Sequence, residues 1–290
     1  MKTKLTQFHD KHYKTLLLIP IILLILSFIY MGIFYSNNQD FIHKDISLTG
    51  GTTVTLTGEF DTNKLQEDLQ KYFSDISIRE IYDLVTQEQK AIIIETKEEA
   101  DFVKQTLEQY FGYELNQENS SFEFTGSALS ESFYSQLLIA ILVAFVFMAI
   151  VVFIIFRTFI PSAAVIISAF ADIFMTLTLV NILEIKMSSA GIVAFLMLIG
   201  YSVDTDILLT TRILKRHNGT LNQRIYEAFK TGITMTLTSL LAILIALTVV
   251  NSFSIVLSQI FTILSIGLAF DILNTWITNV SILKWYVNKK

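Results

Sequence analysis

Between Leu16 and Tyr35, and over most of the stretch from Phe133 to Leu283, the chain runs for whole helix lengths with almost no charged side chain. About 20 apolar residues at 1.5 Å per residue cross roughly 30 Å of hydrocarbon, so such runs are long enough to span a bilayer. Charged residues make up 16% of the chain, against about a quarter in soluble domains, and most of them sit in residues 1–15 and 36–131. This distribution predicts a membrane α-helical protein with spans at 16–35, 134–156, 161–181, 188–210, 232–250 and 255–283. Residues 36–132 form a soluble insert, 133–283 a five-helix bundle, and 1–15 and 284–290 the flanking tails.

A signal peptide is the rival reading of the first run, because Lys2, Lys4, Lys11 and Lys14 precede it. The run exceeds the usual 7–15-residue apolar region, and Ser36-Asn37-Asn38 offers no small-residue cleavage pattern. It reads as a retained helix. Arg157-Thr158-Phe159-Ile160-Pro161 breaks the second span from the third, with proline placed for a first helical turn. The last run is longer than a span needs, which predicts tilt or extension past the lipid.

Lysine and arginine in short loops set orientation. With the N-terminus inside, the inner segments hold Lys2, Lys4, Lys11, Lys14, Arg157, Arg212, Lys215, Arg216, Arg224, Lys230, Lys284, Lys289 and Lys290, whereas the short outer loops hold Lys186. Both termini are expected in the cytoplasm and the insert outside it. The insert carries 19 Asp/Glu against 7 Lys/Arg, a poor match for nucleic acid and sufficiently explained by solubility.

Within the insert, 52–58 alternates β-branched residues and reads as a strand. Asp61 is placed to cap a helix to about residue 73, with Leu65, Leu69 and Tyr72 at helical spacing. Strand-like stretches at 76–83 and 90–95, a helix at about 98–111 and a strand at 121–125 complete the order β-α-β-β-α-β. That order predicts an α+β ferredoxin-like sandwich, a fold that names no function. Gly50-Gly51 ahead of the first strand reads either as a tight turn or close backbone approach, or as a hinge to the membrane.

Four carboxylates lie within the spans: Asp172, Asp204, Asp206 and Asp271. A charge at a helix centre costs about 2.5–3.5 kcal/mol on insertion scales. Helical rise puts Asp172 roughly 16 Å past Pro161, Asp271 roughly 20 Å before Lys284, and Asp204 and Asp206 roughly 12 and 9 Å before Arg212. Asp204 and Asp206 are about 200° apart and cannot share a face. Gly200, Asp204 and Thr211 do share one, and a glycine beside a carboxylate permits close helix contact. Each aspartate either hydrogen-bonds neighbouring helices or gains and loses protons, and Asp206 could also reach the inner surface. Lys230, opening the fifth span, stands at a depth from which Asp204 or Asp206 is within reach, and topology accounts for it equally.

The run Gly200-Tyr-Ser-Val-Asp-Thr-Asp-Ile-Leu-Leu-Thr-Thr-Arg212 resembles the fourth-span signature of the SecD/SecF family of protein-export membrane proteins, on its SecF side. Asp45-Ile-Ser-Leu-Thr-Gly-Gly-Thr52 is similar to the family's Asp-Phe-x-Gly-Gly segment entering the outer domain, and Asp172 in Ala169-Phe-Ala-Asp-Ile falls where the family has a third-span aspartate. The resemblance covers nearly the whole chain. It implies a resistance-nodulation-division-type half bundle that pairs with SecD and works beside the Sec translocon channel. There it would assist export of unfolded polypeptides from the outer side of the cell membrane, with the proton motive force. Asp204 and Asp206 are then the leading proton-path candidates, joined by Asp172, Asp271 and Lys230. Asp45, Gly50, Gly51 and Gly200 belong to the family motifs. Common bacterial members have Asn-Asp-Thr where this chain has Asp204-Thr205-Asp206, and Asp271 in Asp-Ile-Leu-Asn-Thr-Trp276 looks closer to archaeal members.

The resemblance implies a transport accessory protein rather than an enzyme; a passive binding or scaffold subunit is the alternative. An intramembrane aspartyl protease would want Gly-x-Gly-Asp, and Gly200-Tyr-Ser-Val-Asp204 is spaced differently. A small-molecule efflux pump is disfavoured by the small size of the insert. No cofactor is expected: the chain lacks Gly-x-x-x-x-Gly-Lys-Ser/Thr. It has no cysteine, and His9, His12, His43 and His217 are scattered without metal-ligand spacing.

Overall fold

The structure, a computed structural model, describes residues 12–83, 86, 88–215 and 219–289. Lys2, Lys4, Lys11, Arg216 and Lys290 of the charge argument, with His9 and His217, lie outside the described residues. Six described helices are long and apolar enough to cross a membrane. The first contains α1 (Leu18–Asn38), and the short α2 (Ile46–Thr49) follows it. The insert then runs β1 (Gly51–Thr57), α3 (Thr62–Leu69), β2 (Ile76–Tyr82), β3 (Gln89–Thr96), α4 (Ala100–Phe111) and β4 (Ser120–Thr125). The remaining spans are α5 (Ser127–Phe156), α6 (Phe159–Ile182), α7 (Ser189–Lys215), α8 (Leu221–Val250) and a composite last helix. That helix consists of α9 (Ile255–Leu273), a π-helical segment (Asn274–Asn279) and α10 (Val280–Lys289).

The helices exceed their apolar windows because polar residues start and stop them. Thr220 and Gln223 form a reciprocal capping box at α8, which starts eleven residues before the apolar window expected from sequence. Ser254 caps α9 through the Leu257 amide. Pro161 sits in the first turn of α6, where a missing amide costs nothing. In the insert Asp61 accepts from the Lys64 amide and starts α3 as expected. The helix stops at Leu69 rather than near residue 73: Phe73 turns into the core through a bond to the Leu69 carbonyl, and Tyr72 is left exposed.

The four strands form one antiparallel sheet in the order β2-β3-β1-β4. One of its faces, through Val54, Leu56, Ile92 and Ile94, packs on Leu65, Leu69, Val103 and Leu107. In the bundle α6 and α7 are the most buried spans, whereas α1, α5 and α8 expose most of their apolar surface. One apolar cluster (Val180, Ala194, Phe195, Leu198, Ile263, Leu264) lies toward the insert; another (Ala164, Leu209, Ile213, Val280, Leu283) lies toward the opposite end.

The insert is tied to its end of the bundle by backbone and charge. The Asp45 amide donates to the Met187 carbonyl at 2.9 Å, the Met187 amide to His43 at 2.5 Å, and the Tyr82 amide at the end of β2 to Ser252 at 2.9 Å. Lys186 pairs with Asp75 at 3.3 Å. A Cβ on Gly50 would lie 2.5 Å from Ser127 Cα, and one on Gly51 would run into the Thr96 carbonyl; both residues have positive φ. The double glycine thus marks a close backbone crossing of the linker, β3 and the start of α5, the first of its two readings.

Candidate functional site: a carboxyl cluster in the bundle core

Asp172 on α6, Asp206 on α7 and Asp271 at the end of α9 are all fully buried between the two apolar clusters. Asp172 Oδ2 accepts from the Ser202 hydroxyl at 2.6 Å, and its Oδ1 accepts from the Asn274 amide at 2.7 Å. Asp206 Oδ1 accepts from Asn279 at 2.7 Å, and Asp271 Oδ1 from Thr275 at 3.0 Å. Asp206 Oδ2, Asp271 Oδ2 and Asn279 Oδ1 are buried without a hydrogen-bond partner. None of the three carboxyls takes part in an ion pair among the described residues.

The π-helical segment makes this constellation possible. In α-helical winding Asn274 and Asn279 would be about 140° apart and could not both face the carboxyls. In a π-helix residues five apart stack through i→i+5 bonds, so both amides reach the same side. On α7 the ordinary spacing suffices: Ser202, Asp206 and Thr210, four residues apart, share one buried face.

The expected site residues separate into two groups. Asp172, Asp206 and Asp271 are brought together. Asp204 is exposed on the opposite side of α7, Lys230 is exposed on α8, and no ion pair links Lys230 to either α7 aspartate. Gly200 is exposed as well, with nothing within 4 Å of an added Cβ, so its close helix contact is not made within this chain. Asp45 caps α2 through the Ile46 amide at 2.6 Å and stands 3.6 Å from Arg79, which also pairs with Glu95 at 2.9 Å. Burial and the neighbouring Asp45 raise Glu95 above the ordinary glutamate value, with Arg79 and Lys186 opposing. Asp75 is lowered, first by its hydrogen bond to Lys97. Ser202, Asn274, Thr275 and Asn279 were not singled out from sequence; Ser202 carried a signal in its spacing from Asp206, and the asparagines carried none without the π winding.

An apolar groove of about 480 Å³ between α5, α6 and α7, lined among others by Leu138, Phe145, Ile173 and Phe195, contains no carboxyl and is separate from this cluster. Among the described residues no three His, Asp or Glu side chains are gathered as a metal site.

Residues 103–289 match the family described as protein export membrane protein SecD/SecF, C-terminal. The protein-export membrane protein SecF of Methanocaldococcus jannaschii is 42% identical over 286 residues, covering 96% of this chain and 97% of that one. The chain belongs to the SecF family. The SecF of Methanolacinia petrolearia is 36% identical over 279 residues, with 95% and 94% covered. The fold of this SecF-family chain is also that of part of SecDF, a translocon-associated membrane protein from Thermus thermophilus, with a TM-score of 0.74 at 21% identity over 97% of the chain. The chain spans 38% of that longer SecDF chain. It is therefore a multi-pass membrane protein of a protein-export family, with a six-helix bundle and one small antiparallel sheet domain.

Proposed function

We propose that this chain is a SecF subunit that pairs with SecD beside the Sec translocon channel and assists export of unfolded polypeptides across the cell membrane. In this reading it uses the proton gradient through reversible protonation of Asp172, Asp206 and Asp271. The observation that carries the reading is the cluster itself: three fully buried carboxyls, none ion-paired, held by hydroxyls and amides between two apolar layers. Three negative charges so close together out of water are costly, and a proton neutralises each without extra space.

The insert is the ferredoxin-like, extracytoplasmic domain of this reading; its element order and sheet order support the first term. The orientation is supported by Arg157, Arg212, Lys215, Arg224, Lys230, Lys284 and Lys289, all near helix ends remote from the insert. SecD pairing is supported by the exposed stripe of α7, where Val193, Met197, Gly200, Tyr201 and Asp204 face away from the chain's own bundle. Gly200 leaves room there for a neighbouring helix. Asp204 thus belongs to the partner face and Asp206 to the proton path.

Export of a secreted reporter in cells carrying Asp206→Asn or Asp204→Asn tests the assignment. Asp206→Asn is expected to lower gradient-dependent export at least tenfold with normal membrane insertion, whereas Asp204→Asn keeps the gradient response. Unchanged export in Asp172→Asn, Asp206→Asn and Asp271→Asn alike would leave only the passive scaffold.

A further inference from the structure

We infer that the groove between α5, α6 and α7 is a binding site for one membrane phospholipid, its chain in the groove and its phosphate at the insert end. The inference stands apart from proton coupling. One stripe of α5 lines the groove: Tyr134, Leu138, Ile141, Leu142, Phe145 and Val146 recur at helical spacing. Helical rise between Tyr134 and Val146 makes it roughly 18 Å deep, close to the ~15 Å of hydrocarbon in one leaflet. Leu142 and Val146 are exposed, so the groove is open on the lipid side of the bundle. Its volume of about 480 Å³ over that depth leaves a cross-section of roughly 27 Å². An α-helix with its side chains is about 10–12 Å across and does not enter it, whereas a single extended hydrocarbon chain does. The stripe of α7 assigned to SecD lies elsewhere: Phe195 lines the groove and is buried, and Met197, about 200° round the helix, is exposed.

The outer mouth of the groove is suited to a head group. Ile42 lines both the groove and an adjoining polar pocket, whose walls include Lys44, Lys97 and Lys186 with Asp40, Asp75 and Glu184. Tyr134 stands at the boundary. It lines the groove, its hydroxyl donates to Asp40 Oδ1 at 2.8 Å, and the Lys44 ammonium lies 4.2 Å from its ring centroid. A tyrosine with one apolar and one polar end belongs at the membrane–water boundary. Lys44 also pairs with Asp40 at 2.5 Å, and Lys97 and Lys186 share Asp75 at 2.7 and 3.3 Å. An ammonium has three donors, so each lysine keeps hydrogen-bonding capacity for phosphate oxygens beyond its carboxylate. Two ammonium groups on one carboxylate favour an anion there, and Glu184, which is exposed, opposes it.

The test uses the full chain, alone and with its SecD partner, in phosphatidylglycerol vesicles. The probe is a trace of phosphatidylglycerol carrying a diazirine in mid-chain, and labelled peptides are mapped after illumination. Labelling is expected to concentrate on the 134–146 stripe of α5 and to fall at least fivefold in Leu142→Trp, whose larger side chain fills the groove. Leu138→Trp is the second variant should Leu142→Trp not accumulate, and Ile245→Trp on the exposed face of α8 is expected to leave labelling unchanged. A diacylglycerol probe with the same chains is expected to label at least threefold less, and Lys44→Gln to narrow that difference. Labelling spread evenly over α1, α5 and α8, or undiminished in both tryptophan variants, would overturn the site. Loss of labelling on adding SecD would put a partner segment in the groove and overturn it too. Equal labelling by the two probes would contradict the phosphate assignment.

Discussion

Asp204 and Asp206 are two positions apart, and helical geometry sends them to opposite sides of α7. The sequence limits them to different faces but does not say which face is inside, because both flanks of α7 are apolar. Only the packing of α6 and α9 decides it, and it selects Asp206. The same reasoning covers Lys230, whose depth was legible and whose direction was not. At the junction with the insert, Glu95 provides a pH prediction. Its raised value means that folding favours the protonated form, so its contribution is fully present below the ordinary value of about 4.5 and is lost as pH rises through the folded value. At neutral pH, Glu95→Gln is expected to unfold at a higher temperature than the parent, and the difference should shrink as pH falls below about 4.5. A constant difference across thermal melts at several pH values would contradict this.

The apolar pattern of the last run predicts one long span, and the π-helical segment Asn274–Asn279 departs from that regular winding. No propensity distinguishes Asn274–Asn279 from an α-helical stretch; the winding follows from the carboxyls that the two asparagines must meet. Insert elements were far more legible, because strand alternation and the Asp61 cap are local signals. Contact between α7 and α9 is set by a glycine: a Cβ on Gly267 would come within 2.5 Å of Leu198 side-chain carbons. Gly267→Ala is expected to lower stability by about 1–3 kcal/mol through overpacking. Leu198→Ala alone should also destabilise, by about 2–5 kcal/mol. Because the two changes relieve each other, the double variant should be more stable than additivity allows, by about 0.5–3 kcal/mol. Denaturation of the four proteins in one detergent measures the coupling, and strict additivity would exclude the contact.

At the scale of the whole molecule, the charge distribution predicts which side of the membrane each segment occupies, and the absence of cysteine makes that directly measurable. A cysteine replacing exposed Asn63 in α3 should react with an impermeant maleimide in intact cells, and one replacing exposed Asn288 in α10 only after permeabilisation. The reverse pattern would invert the topology. Span number and the insert's element order could be read from residues alone, whereas the carboxyl cluster arises from three helices separated by up to 99 residues of chain between Asp172 and Asp271. The most direct measurement is infrared difference spectroscopy of the full chain in lipid, following the protonated-carboxyl band as a proton gradient is imposed. The proposed coupling predicts a band that changes with the gradient, persists in Asp204→Asn and disappears when Asp172, Asp206 and Asp271 are all replaced by asparagine. A band that stays constant under the gradient, or a change that survives the triple replacement, would contradict it.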